Sequence, residues 1–175
     1  KGQYNWAFAL VEKSLQHALL ADAFSYALLL LRWQHTIGFY TGKGSWQPAA
    51  AATEQKVLAA LQNETAYMHL LYRFNYLLNE QKAMVSKNKQ LTALMQLPLL
   101  AKITNAKSQS ARICFHRIHA MYGLYVSLNK TKTEKHFKQA LRVIEHNPAH
   151  LHSKSRVYCL LASGLVAHYN SYAQY

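Results

Sequence analysis

Acidic side chains are scarce in this sequence. Seven Asp and Glu stand against 20 Lys and Arg, for a formal charge of +13, and no acid occurs between Glu80 and Glu134. No two of the seven lie three or four residues apart, so no helix turn presents a carboxylate pair. General acid–base or glycosidase chemistry needs two placed carboxyl groups and is not expected. The same acid-free stretch holds Lys82, Lys87, Lys89, Lys102, Lys107, Arg112, Arg117, Lys130 and Lys132. Uncompensated positive charge attracts phosphates, acidic proteins or anionic headgroups, although a solvated helical surface is the plainer reading.

Turn residues are scarce too. Six Gly and three widely spaced Pro, at 48, 98 and 148, leave too little punctuation for a sheet-rich fold. The two cysteines, Cys114 and Cys159, sit in apolar helical patterns with no metal-type spacing. That usage fits a reducing compartment, and a cytoplasmic location is expected. Apolar runs such as Ala27–Leu31 are far too short to cross a bilayer. The chain opens at Lys1 without Met, and a piece of a longer protein is expected.

What is present is helical periodicity. With 51% hydrophobic residues the chain has material for a core. Phe8, Val11, Leu15, Ala18 and Leu19 recur at three- and four-residue spacing and predict a helix over 4–20. Asp22 is placed to N-cap a second over 22–41, closed by Gly42, Lys43 and Gly44. Leu28–Leu31, Trp33 and Ile37 make that helix apolar over most of its circumference, which predicts neighbours on several sides. Pro48 suits the first turn of an unusually long helix over 49–80, with Val57, Leu58, Leu61, Met68, Leu71, Phe74 and Leu78 on one side. The polar run 62–65 interrupts that stripe and predicts a bend or an exposed turn.

Residues 82–110 are irregular, with a short helix around Leu91, Leu94 and Met95 that Pro98 stops or redirects. Then comes a polar linker over 105–110. A strong helix follows over 111–128, with Cys114, Ile118, Met121, Tyr125 and Leu128 on one stripe and Phe115, Tyr122 and Val126 beside it. Thr131 or Thr133 is placed to cap the next, over 131–147, and a last one over 153–173 opens at Ser153 or Ser155 and carries Leu160, Leu161 and Leu165. About six to seven helices in one all-α domain over 1–175 are expected.

Residues 12–19 read Glu-Lys-Ser-Leu-Gln-His-Ala-Leu and residues 134–141 read Glu-Lys-His-Phe-Lys-Gln-Ala-Leu. Both follow one pattern, in which small Ala18 or Ala140 lets a neighbouring helix approach beside Leu15 or Phe137. The stretch from Ala111 to Pro148 resembles a degenerate tetratricopeptide repeat: an aromatic-rich helix, a polar turn at 129–131, and a second helix with Phe137, Ala140, Leu141 and Ile144, ended by Pro148. The wider chain resembles bacterial proteins with such repeats, through Leu30-Leu31-Arg32-Trp33 and the helix from Tyr67 to Leu78. The resemblance departs at bulky Met121 and Thr133, where the family has small residues. It implies an α-solenoid of antiparallel helix pairs: half-pair 4–20, pair 22–41/49–80, pair 111–128/131–147 and half-pair 153–173. It also implies that 22–41, 111–128 and 153–173 line the concave side.

Catalytic motifs are missing: there is no G-x-S-x-G, Gly-rich phosphate loop or Rossmann fingerprint. Cys114 and His116, two apart on a helix, point away from each other. His116 and His119 are i, i+3, and His146, His150 and His152 cluster near Pro148, but neither group adds the Cys or carboxylate ligands usual for zinc. No catalytic residue, metal or cofactor is assigned. The expectation is a non-enzymatic protein–protein interaction scaffold for an acidic peptide or protein. Lys107, Arg112 and Arg117 are the candidate ligand-binding residues, Lys107 at the rim. The alternative is a nucleic-acid-binding helical domain that uses the basic stretch 82–132. There Phe115, Tyr122 and Tyr125 would serve as stacking rings, although they share their face with Ile118 and Met121 and so fit a core better.

Overall fold

The computed structural model describes residues 2–42, 48–80 and 84–173. Lys43, Gly44 and Lys82 lie outside the described residues, as do the side chains of Pro48, Lys87 and His150. The described residues are all-helical, with nine α-helices and one 3-10 turn. In order they are α1 (Gly2–Leu20), α2 (Phe24–Thr41), α3 (Pro48–Asn79), α4 (Met84–Met95), α5 (Pro98–Ala101), the 3-10 turn Ile103–Asn105, α6 (Gln109–Tyr125), α7 (Lys130–Glu145), α8 (Pro148–Ser153) and α9 (Ser155–Ala173). None of these helices is long and apolar enough to cross a membrane. The count exceeds six or seven because Pro98 and Pro148 each open a short helix of their own, the first turn being where a missing N–H costs nothing.

The chain divides into two compact units, Lys1–Gln62 and Asn63–Tyr175. The boundary falls in the polar run 62–65, which lies within the helical range of α3. In the first unit α1 and α2 form an antiparallel hairpin, with Tyr4 stacked on Tyr40 at one end. Leu15, Ala18, Phe24, Ala27, Leu31 and Val57 form its core. Asp22 is not the N-cap of α2. It takes a left-handed conformation (φ 51°) at the close of α1, and Ala23 occupies the cap without a side-chain bond. Asp is among the few residues that tolerate that conformation, so it ends one helix rather than starting the next. Gly42, at φ 69°, closes α2 as expected. The outward faces differ from expectation: Tyr26, Leu29, Trp33 and Tyr40, at spacings of three, four and seven, form an exposed stripe on α2.

In the second unit Tyr67, Leu71 and Phe74 of α3 pack with Leu91 and Leu94 of α4, Leu100 of α5, and Cys114, Phe115 and Ile118 of α6. Polar anchors hold the connection before α6. Tyr67 donates its hydroxyl to the Leu99 carbonyl (2.5 Å), and Asn63 holds the backbone of the 105–107 segment, donating to Asn105 O (3.0 Å) and accepting from Lys107 N–H (2.8 Å). The polar run in α3 therefore serves this turn. A second core joins Ile113 and Ala120 of α6, Phe137, Ala140 and Ile144 of α7, and Leu161 of α9. The paired octets share their burial pattern: Leu15 and Ala18 are buried, and so are Phe137 and Ala140.

Neither Thr131 nor Thr133 caps α7. Asn129 does, its side chain accepting from Lys132 N–H at 2.9 Å. Asn reaches the N3 amide at least as well as Thr, and Thr133 is buried inside the helix with its hydroxyl donated to Asn129 O. Gly123 explains why α6 and α7 come so close. A Cβ at Gly123 would collide with Thr133 Oγ1 and lie 3.3 Å from Thr133 Cα, so only glycine fits. Tyr125 and Leu128 leave the buried stripe because α6 ends at Tyr125, and Leu128 stands beyond it at φ 50°.

Candidate functional site

The chemistry-bearing side chains gather around α6. Its start is fixed by Ser108, whose hydroxyl accepts from Ala111 N–H at 3.0 Å. From there α6 runs antiparallel to α7, pairing His116 with His136 near its middle and Gly123 with Thr133 near its end. Three settings result.

The first is a histidine cluster between α6 and α7. His116 Nδ1 lies 3.0 Å from His136 Nδ1, so one ring carries the proton that the other accepts. His119 stacks on His136 with centroids 4.8 Å apart and planes 16° apart, and Phe115 lies 4.3 Å from His119. His119 Nε2 is 3.0 Å from the Leu100 carbonyl. A carbonyl only accepts, which puts the proton of His119 on Nε2. Burial, then the neighbouring His119, Arg112 and Lys135, hold His116 down to about 4. Burial, then His119, His116, Lys135 and Lys132, hold His136 down to about 3. His119 is lowered as well, by burial above all, against an opposing bond to Leu100. All three rings are therefore neutral near pH 7. Rings so weakly basic are poor general bases at that pH.

Metal ligation needs nitrogens aimed at one point. His119 instead directs Nε2 at a carbonyl and lays its face on His136. Among the described residues no group of three or more His, Cys, Asp or Glu side chains is arranged to hold a metal ion. The cluster is built to pack neutral rings.

The second setting is a half-open cavity of ≈ 280 Å³ lined by α6, α7 and α9. Arg117, Met121, Leu124 and Tyr125 of α6 line one side, at the three- and four-residue spacing of a helix face. Phe137 stands on α7, and Leu160, Leu161 and Gly164 on α9. Gly164 admits the Phe137 ring, since a Cβ there would lie 2.8 Å from Cε1. Tyr125 and Leu160 are 59% and 55% exposed, so the cavity opens between them. Arg117 is the one charged side chain in the lining. Burial lowers its pKa, opposed by Cys114 and Tyr72, and no carboxylate acts on it.

The third setting is the turn before α6 with the outer face of α7. Lys107 and Arg112 are exposed, and Arg112 Nε reaches back to the Ala106 carbonyl at a long 3.4 Å. Arg117 is five residues further along α6, about 140° around the helix axis at 3.6 residues per turn. The structure thus brings Lys107 and Arg112 together and turns Arg117 into the cavity. On α7, Lys132, Lys135 and Arg142 are exposed at three- and seven-residue spacing, while Lys138 is held by Glu134 at 2.7 Å.

His136, Phe137, Leu160, Leu161 and Gly164 had no site role in the sequence reading. Gly164 inside an otherwise good helical pattern is the signal that was available, because a mid-helix glycine marks close approach. No protein-family description, curated protein or solved structure matches this chain.

Proposed function

We propose that this chain is a non-enzymatic interaction module, a tetratricopeptide-like stack of helix pairs whose cationic surface receives an acidic peptide or protein. The observation that carries the reading is the set of exposed cations Lys107, Arg112, Lys132, Lys135 and Arg142, none paired with a carboxylate among the described residues. Such cations keep their field for a partner. The shared burial of Leu15 and Ala18 on α1 with Phe137 and Ala140 on α7 supports the repeat reading. The exposed stripe of Tyr26, Leu29, Trp33 and Tyr40 supports protein contact, being rich in the residue types that anchor interfaces. Two free cysteines, Cys114 buried and Cys159 exposed, suit a reducing compartment such as the cytoplasm.

The test is fluorescence anisotropy with a labelled glutamate-rich peptide at low salt. Lys107→Glu with Arg112→Glu is expected to weaken binding about tenfold, two rim charges each contributing roughly 0.5–1 kcal/mol. An affinity unchanged by the double reversal would sink the reading. The outer stripe of α7 favours a second reading, nucleic acid. That reading requires a steep salt dependence for single-stranded RNA, since each neutralised phosphate releases counterions.

A further inference from the structure

The cavity between α6, α7 and α9 combines an apolar lining with one cation. Its walls are mostly apolar, with Met121, Leu124, Phe137, Leu160 and Leu161, and Tyr125 stands at its exposed side. Its single charge, Arg117, is half-buried, and the groups that act on it are Cys114 and Tyr72 rather than a carboxylate. A desolvated, uncompensated cation is costly, and a hydrophobic side chain of similar volume would serve packing better. The arrangement is complementary to a molecule with one anionic head and an apolar body. The guanidinium, a planar fork of N–H donors, matches a carboxylate.

We infer that this cavity binds a small amphiphilic monocarboxylate, with the carboxylate on Arg117 and an apolar tail between Leu124, Phe137 and Leu161. At roughly 30 Å³ per water-sized group, ≈ 280 Å³ admits a tail and head of about nine or ten heavy atoms. A medium-chain fatty acid fills that space. The opening between Tyr125 and Leu160 is the path of entry. This inference stands apart from the acidic-polypeptide reading, which rests on Lys107 and Arg112 on another side of α6.

The probe is sodium octanoate, titrated into the full chain and followed by the methyl resonances of Met121, Leu124 and Leu161. Saturable shifts at those methyls are expected, with octanoate binding roughly tenfold or more tighter than 1-octanol, the difference one charge-assisted hydrogen bond contributes. Arg117→Met keeps the aliphatic stem and removes the desolvated charge, so it folds, and it should erase the preference for octanoate over octanol. Arg117→Lys, which restores the charge without the fork, should recover part of it. Methyls that do not shift in the wild-type chain would overturn the assignment. Equal affinities for octanoate and octanol would do the same, as would an octanoate preference that survives Arg117→Met.

Discussion

Lowering the pH from about 6.5 to about 4 is expected to remove on the order of 3 kcal/mol of folding stability through the His116–His136 pair alone, at about 1.4 kcal/mol per pH unit per ring. The sign follows from which state takes up protons. In the unfolded chain both imidazoles titrate near 6.5. In the fold His116 stays neutral to about 4 and His136 to about 3. Their stabilisation is complete above pH 6.5 and is lost as pH falls towards the folded values. The rings share one proton site and keep some contact with solvent, so the pair is counted once rather than twice. Arg112 and His119 on α6, with Lys132 and Lys135 on α7, all oppose a charge there. Glu134, held low first by its bond to Lys138 and then by Tyr169, begins to lose its contribution as pH falls through the ordinary carboxylate value, at the acid end of this window. Urea denaturation at a series of pH values between about 7 and 4.5 measures the slope. Replacing both histidines with Phe should flatten it, and a slope unchanged in that variant would show that other groups titrate.

Phe74→Ala is expected to cost about 3–5 kcal/mol, enough to leave the second unit marginal or unfolded. Phe74 is 0% exposed and shares a core with Leu71, Leu91, Leu94 and Ile118, contributed by α3, α4 and α6. Removing its ring takes away the transfer free energy of six carbons and leaves a void that three helices cannot all close around. Tyr76, two residues along, is 66% exposed and provides the contrast. Tyr76→Ala should change stability by less than about 1 kcal/mol. Comparable losses for the two variants would mean that α3 buries a different face.

Helices were the legible part of this sequence because apolar spacing reports them directly. Leu15 and Ala18, like Phe137 and Ala140, fall on the buried faces that their spacing indicates. Caps were less legible. Asp22 and Thr131 have capping chemistry, but so does Asn129, and only the backbone geometry decides which side chain meets a free N–H. Contacts between distant helices were not legible at all. Nothing in the spacing of His116 and His119 indicates that His136 faces them from α7. Arg112 and Arg117 looked like one pair of ligand-facing charges. Helical geometry separates them, leaving Arg112 beside Lys107 and Arg117 in the cavity.

Mapping the acidic peptide by backbone amide shifts tests most directly whether this surface receives acidic chains. With a glutamate-rich peptide at low salt, the largest shifts are expected at Lys107, at Arg112 and along the exposed face of α7 around Lys132 and Lys135. They should vanish together as salt rises. Shifts confined to α1 and α2, or none at all for the peptide while single-stranded RNA moves the same amides, would contradict it.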